Sequence, residues 1–222
     1  MKTLQNIFGI TYAIAWSVGL YFQIALMYRT KCGDGFSLDN QLLSILGEIF
    51  FLCYNTYLMI LNPEFYNIIN FIFTFQCIVL GLVIFGLTFY YPRKKNKFNI
   101  SVIFVIFIFC AMAVFYYLWG VIYKGYMVKE FYLFLGLGNC WVVLIKYLYQ
   151  ITLNYDKKST VGFAIEGIIG DVIGCICIFL ESILRYKNDN KSEINYPLIL
   201  MAWESIFFDF IIIFQHYYLY RQ

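Results

Sequence analysis

The sequence predicts an all-α polytopic membrane protein, with seven transmembrane helices arranged as two parallel three-helix repeats plus a linker helix (3+1+3). Three observations predict it. First, the 222 residues are 62% hydrophobic and only 13% charged, whereas a soluble domain is roughly half apolar and about a quarter charged. A soluble core of this size cannot hide so much Phe, Tyr, Ile and Leu. Second, seven apolar stretches reach the about 20 residues that a helix needs to cross a bilayer. Third, the chain matches itself at a constant spacing. The composition also excludes a cytosolic enzyme, a disordered chain and a secreted disulfide module.

The first stretch, about 5–28, follows Lys2 as its only early side-chain charge and precedes no small-residue cleavage site, so it reads as a retained span rather than a signal peptide. Arg29 to Asp34 end it. The second, about 39–61, stops at Asn62-Pro63-Glu64, and the third, about 66–91, at Pro92 to Lys97. The fourth, about 98–123, is closed by Lys124 to Lys129, the fifth, about 130–154, by Asp156 to Thr160, and the sixth, about 162–185, by Tyr186 to Asn195. The seventh, about 196–220, opens on Pro197, whose missing N–H costs nothing in a first turn. Residues 1–222 form one transmembrane domain: repeat one about 5–91, the linker helix about 98–123, and repeat two about 130–220.

Basic residues divide unevenly between the two sides. Arg29, Lys31, Arg93, Lys94, Lys95, Lys97, Lys157, Lys158 and Arg221 share one side, against Lys2, Lys124, Lys129, Arg185, Lys187 and Lys191 on the other. The positive-inside rule places the first group in the cytosol, with the N-terminus lumenal or extracellular and the C-terminus cytosolic. Asn190-Lys191-Ser192 is then a glycosylation acceptor on the lumenal side, and Asn99-Ile100-Ser101 is a silent one. Net charge is +3 without a long basic block, so nucleic-acid binding has no electrostatic basis. The seven cysteines are scattered, and the Cys175-Ile-Cys177 pair lacks a matching cluster, so no metal, cofactor or catalytic constellation is expected. No feature of the sequence specifies an oligomeric state.

The internal match runs without gaps. Gln23 aligns with Gln150, Leu26 with Leu153, Tyr28 with Tyr155, Lys31 with Lys158, Gly35 with Gly162, Phe36 with Phe163, and Gly47 with Gly174. Asp39 meets Glu166. The match starts in span one and again in span five, so the repeats are parallel. Repeats related by an axis along the membrane normal are a transporter design, with cargo held between them near midplane.

Ionisable groups inside spans are costly and face a cavity or a partner. Glu48, Lys146, Asp171 and Asp209 sit at similar depths, roughly 12–17 Å from the predicted cytosolic ends at 1.5 Å per residue. Three acids and one base at one level suit a site that handles protons or ions. Asn139, Lys146 and Gln150 fall within about 40° of one another on a helical wheel, as do Ser44, Glu48 and Asn55. Each set reads as a polar stripe lining one wet cavity. Gly167, Gly170 and Gly174 let span six approach a neighbour closely. Glu204 and Glu181 read as mouth-lining or solvated acids, and His216 as an interfacial residue.

These residues resemble a known family. Trp16-Ser17, Tyr21-Phe22-Gln23, Gly35-Phe36-Ser37-Leu38-Asp39, Gly47 and Tyr54-Asn55 look like the first of the paired PQ-loop motifs of the cystinosin family. Leu144 to Gln150, Asn154, Lys158-Ser159-Thr160-Val161-Gly162, Asp171 and Gly174 look like the second, and Ser205 to Asp209 with Phe214-Gln215-His216 resembles that family's last helix. The resemblance covers nearly the whole chain. It implies a SWEET-like transporter in a lysosomal or vacuolar membrane, exporting cystine with a proton. By resemblance, Asp209 matches the proton-carrying acid and Asp39 an acid linked to gating and proton coupling; Asp171 and Glu48 join them in proton coupling as midplane carboxylates. Substrate binding falls by the same resemblance to Lys146, Asp171, Gln150 and Asn154, and from the polar stripes to Asn139 and Asn55. An acid and a base together suit an amino-acid zwitterion, and Asn and Gln supply neutral donors and acceptors. The expected partners are a small-molecule amino-acid substrate, protons and the lipid bilayer.

The chain departs from the pattern in places. Phe22 and Tyr149 stand where the PQ prolines are expected, so rocking there must use other weak points, such as glycines. Ser44 and Gly167 replace asparagines, Asn139 replaces a lysine, and Glu48 replaces an apolar residue. A cationic amino-acid exporter of the PQ-loop type is therefore an alternative, with Glu48 receiving a positive side chain. A KDEL-receptor-like sorting receptor is less favoured, because Lys146 is the only base inside a span. The midplane carboxylates disfavour a non-transporting scaffold.

Overall fold

The computed structural model describes residues 2–61, 63, 65–93, 97–123, 128–188 and 194–220. Lys94, Lys95, Lys124, Lys191, Arg221 and the Asn190-Lys191-Ser192 acceptor lie outside them. Among the described residues seven helices are long and apolar enough to cross a membrane. They are α1 Lys2–Thr30, α2 Leu38–Leu61, α3 Phe65–Tyr90, α4 Ile100–Tyr123, α5 Val128–Lys157, α6 Ile165–Asn188 and α7 Tyr196–Phe214, the last running into a π-helical turn, Gln215–Leu219. In hydrocarbon every backbone polar group must be satisfied within its own segment, which a helix does.

Polar side chains set the ends. Asn195 accepts from the Leu198 N–H at 3.1 Å and Pro197 fills the first turn of α7. The Ser37 hydroxyl accepts from Asn40 N–H at 3.3 Å ahead of α2, and Asn99 accepts from Ser101 N–H at 3.0 Å ahead of α4. Helices α1 and α5 end alike, on lysines in the left-handed region: Lys31 at φ 52° and Lys158 at φ 53°. Each ammonium lies over the ring three residues back, 3.5 Å from the Tyr28 centroid and 3.2 Å from that of Tyr155.

Helix α1 packs mainly on α6, and α2 on α5. Helix α3 fills the angle between α1 and α2, and α7 that between α5 and α6. Helix α4 is peripheral, touching α5 and α2. It turns Phe104, Phe107 and Phe115 outward, as a lipid-facing surface requires. Small residues make the close crossings possible, since lipid offers no hydrophobic drive to pair helices. A Cβ on Gly167 would stand 3.0 Å from the Gly19 Cα, and one on Gly170 2.8 Å from the Ala15 carbonyl oxygen.

We call the end where α1 and α5 finish the lower end. There the loops after these helices meet face to face. Gly35 and Gly162 touch backbone to backbone, and a Cβ on Gly35 would lie 1.9 Å from the Gly162 carbonyl carbon. Gly162 also holds φ +90°, a conformation that side chains rarely adopt. This is why residues 162–164, expected in span six, stay outside α6, which starts at Ile165. Toward the upper end a core of Tyr12, Phe51, Phe73, Ile178, Leu198 and Met201 fills the middle of the bundle.

Candidate functional site: a charged cavity above a glutamine-held floor

Helices α1, α2, α3, α5, α6 and α7 enclose a cavity of about 180 Å³. Glu48 from α2, Lys146 and Tyr147 from α5, Asp171 from α6, and Ser205 and Asp209 from α7 all line it. Four helices thus bring together the four ionisable residues that the sequence places near midplane.

The four are held differently. The Asp171 carboxylate accepts a 3.1 Å hydrogen bond from the Tyr147 hydroxyl, while the Trp16 indole N–H donates to the Asp171 backbone carbonyl at 3.1 Å. The Tyr147 ring is fixed in turn by stacking on Phe208, with centroids 5.0 Å apart. Asp209 is 1% exposed, and neither of its carboxylate oxygens makes a hydrogen bond among the described residues. Glu48 Oε2 is likewise shielded and unbonded. Lys146 makes no ion pair within 4.0 Å among the described residues, although its charge reaches Glu48, Asp171 and Asp209. A buried carboxylate without a partner is costly when ionised. Taking up a proton relieves that cost, and so does binding a cation. The cavity is therefore suited to both.

Two loops form the cavity floor. The Phe36 and Phe163 rings stack across it, 5.8 Å apart and within 4° of parallel. Two glutamines fasten them in a reciprocal pattern. The Gln23 side chain donates to the Gly162 carbonyl at 3.0 Å and accepts from Ala164 N–H at 2.9 Å. Gln150 donates to the Gly35 carbonyl at 3.1 Å and accepts from Ser37 N–H at 2.8 Å. Each glutamine, rising from one half of the chain, holds the loop of the other. Gln150 also donates to Asn154 at 3.0 Å, and Asn154 donates to Gln215 at 3.0 Å.

The remaining predicted residues lie off the cavity wall. Gln150 and Asn154 belong to the floor network. Asp39 accepts from Asn99 N–H at 3.0 Å and ties α2 to the start of α4. Asn139 donates to the Met201 sulfur at 2.9 Å and fills the space left by Gly47. Asn55 donates to the Thr74 hydroxyl at 2.9 Å, beside the Tyr12–Asn70 hydrogen bond. The polar stripes thus line the cavity only at their centres, Ser44, Glu48 and Lys146. The helical angles are shared along each stripe, but Asn139 and Asn55, two turns away, fall in helix–helix contacts, and Gln150, one turn from Lys146, in the floor.

One expectation needs correction. Glu181 is not a solvated acid: it is 1% exposed, accepts from Arg185 Nε at 3.1 Å one turn along α6, and accepts from the Gln5 amide at 3.2 Å. The neighbouring Arg185 charge permits that burial. Glu204 is half-buried, with Oε2 sealed from solvent. His216 bonds the Thr160 hydroxyl through Nδ1 at 2.6 Å. Sequence reasoning passed over Gln41 and Tyr147 as cavity residues. The signal for Tyr147 was its place beside Lys146; Gln41 lies at the polar start of α2, one turn before Ser44.

Such an arrangement defines a class: a polytopic helical protein whose two halves enclose a charged cavity above a floor that each half helps to latch. The PQ loop repeat family matches residues 4–60 and 131–191, together more than half of the chain. The chain belongs to the PQ-loop family and is cystinosin-like. It is 28% identical over 242 residues to a Caenorhabditis elegans protein named cystinosin homolog, covering 99% of this chain and 58% of that relative. It is also 28% identical over 246 residues to the Dictyostelium discoideum cystinosin homolog, covering 100% of this chain and 83% of the relative. A Saccharomyces cerevisiae protein named cystine transporter is 25% identical over 255 residues, covering 100% of this chain and 95% of its own. The chain thus spans little more than half the length of several of the relatives it matches.

Proposed function

We propose that this protein is a proton-coupled transporter, not an enzyme, that carries cystine or a related amino acid from an acidic lysosomal or vacuolar lumen to the cytosol. One observation carries the reading. Asp209, buried and unbonded among the described residues, shares a cavity with the Lys146 ammonium, which has no ion pair there, and a fixed acid, Asp171. The relatives named for cystine support the cargo class. Asp209 takes the proton. Asp171, aimed by Tyr147, receives the α-ammonium, and Lys146 the carboxylate. The lower end faces the cytosol, so the Phe36–Phe163 floor is the cytosolic gate. Gln23 and Gln150 hold it shut, and the Gln150 and Asn154 amides meet cargo as the loops part. Asp39 transmits loop movement to α4. Asn139 and Asn55 serve packing.

The test is transport in vesicles with an acidic interior. Wild-type protein should release labelled cystine faster at an interior pH of about 5 than at about 7. Asp209→Asn should abolish that acceleration while the protein still elutes as a single species. Undiminished proton-driven efflux in the variant would remove Asp209 from the mechanism.

A further inference from the structure

A second hollow opens on the outside of the bundle, between α1 and α3. Ile10, Ile14, Ser17 and Tyr21 line it from α1, and Ile72 and Gln76 from α3, around a groove of about 300 Å³. Ile14 and Ile72 are exposed, as residues of a lipid-facing surface are. Gln76 breaks that pattern. It lies about 17 Å along α3, a helix roughly 39 Å long, so its amide sits deep in a hydrocarbon core of about 30 Å. Its Nε2 donates to the Tyr21 hydroxyl at 3.1 Å. Among the described residues its carbonyl oxygen accepts no hydrogen bond, and its second N–H donates none. Turning the amide over exchanges its two ends and still leaves one of them open.

The depth of Gln76 decides what can cover it. Hydrocarbon cannot complete those bonds, and water is absent there. Lipid hydroxyls and phosphates lie at the membrane surfaces, out of reach. A second copy of this chain, inserted in the same direction, does reach. About a twofold axis along the membrane normal, each residue near the axis meets its own equivalent at the same height. The partner's Gln76 then brings a carbonyl to the open N–H and an N–H to the open carbonyl. Each amide keeps its bond to Tyr21 as the two reciprocal bonds close. Glutamine side chains join membrane helices in this manner. Ser17 does not compete, because its hydroxyl is turned back on the Ala13 carbonyl at 2.7 Å.

We infer that the α1–α3 face is a homodimer interface, in which the Gln76 amides of two copies bond each other across a twofold axis and the groove beside them takes apolar side chains of the partner. Helices α1 and α3 belong to one repeat and pack on each other, so the interface stays whole when the two halves of the chain move. The inference does not depend on what the cavity carries.

The test is fluorescence energy transfer between donor- and acceptor-tagged full-length chains in liposomes, followed as the protein is diluted with lipid. Each variant is first checked for a single elution peak and wild-type helix content. Wild type should pair, with transfer that falls on dilution. Gln76→Leu should weaken pairing by about tenfold or more. Ile14→Trp, which fills the groove with a larger side chain, should shift the midpoint the same way. Phe107→Ala, on the exposed side of α4, should leave it unchanged. Wild-type chains that stay apart at every dilution overturn the inference. Pairing that either Gln76→Leu or Ile14→Trp leaves as tight as in wild type overturns it as well. Native mass spectrometry tests the other occupant: a monomer that keeps a bound lipid, lost in Gln76→Leu, gives the groove to lipid and overturns the pairing. Cystine efflux from the same vesicles is scored separately, so the transport reading stands or falls on its own.

Discussion

The floor and the cavity are both polar regions inside an apolar bundle, and they treat their polar groups in opposite ways. In the floor, Gln23 and Gln150 each use both ends of the amide on the facing loop. In the cavity, a few turns away, Asp209 keeps two oxygens unbonded and Lys146 has no paired acid within 4.0 Å among the described residues. Satisfied polar groups hold a structure in one state. Unsatisfied ones are a standing cost that only a proton or a cargo relieves. Asp171, pinned by Tyr147, lies between these extremes.

The comparison is broken most violently at the floor's centre. Gly35→Val places branched carbons where a Cβ alone already falls 1.9 Å from the Gly162 carbonyl carbon. The facing atoms are backbone and cannot turn aside. A loss of about 3 kcal/mol is expected, read as a large fall in melting temperature. A near-normal melt would mean that the two loops do not meet in the resting protein.

The two glutamines come next. Gln150→Leu strands the Ser37 N–H and the Gly35 carbonyl and also takes a partner from Asn154. Gln23→Leu strands only the Gly162 carbonyl and the Ala164 N–H. With about 1 kcal/mol or more for each buried group left unpaired, Gln150→Leu should cost more than Gln23→Leu. Thermal melts of the pair check the order, and a reversal would place the weight of the latch on the other half.

In the cavity the sign should invert. Asp209→Asn removes an unbonded carboxylate, so stability at neutral pH should hold or rise even as proton-driven transport disappears. Stability is commonly given up where function needs strain. A clear fall in melting temperature would show that Asp209 is a structural group and that the contrast between the regions is false.

Much of this was legible in the sequence, for identifiable reasons. Seven apolar runs set the helices because the bilayer fixes their length. The four midplane charges were visible because charge is scarce in such runs, and they do share one cavity. The Gly35–Gly162 and Phe36–Phe163 matches were visible as repeats, but not as contacts: spacing along a chain does not say that equivalent residues meet each other. Periodicity also gave an angle without a height. Asn139, Gln150 and Asn55 share a face with cavity residues yet bond to Met201, the floor loops and Thr74. Glu181 was misread because the burial of its one-turn neighbour, Arg185, depends on the α1–α6 packing.

The gentlest probe lies at the edge of the floor. Thr160 is 1% exposed and shares a 2.6 Å hydrogen bond with His216 Nδ1, which ties the second loop to the π-helical turn after α7. Thr160→Val keeps the shape and removes the hydroxyl. His216 is half-buried and can turn to solvent, so it need not be left stranded. The loss should be about 1 kcal/mol or less, a few degrees at most in a melt and smaller than for either glutamine. A larger loss would mean that the floor depends on its tie to the last helix as well as on the glutamines, and the latch would then be a three-point one.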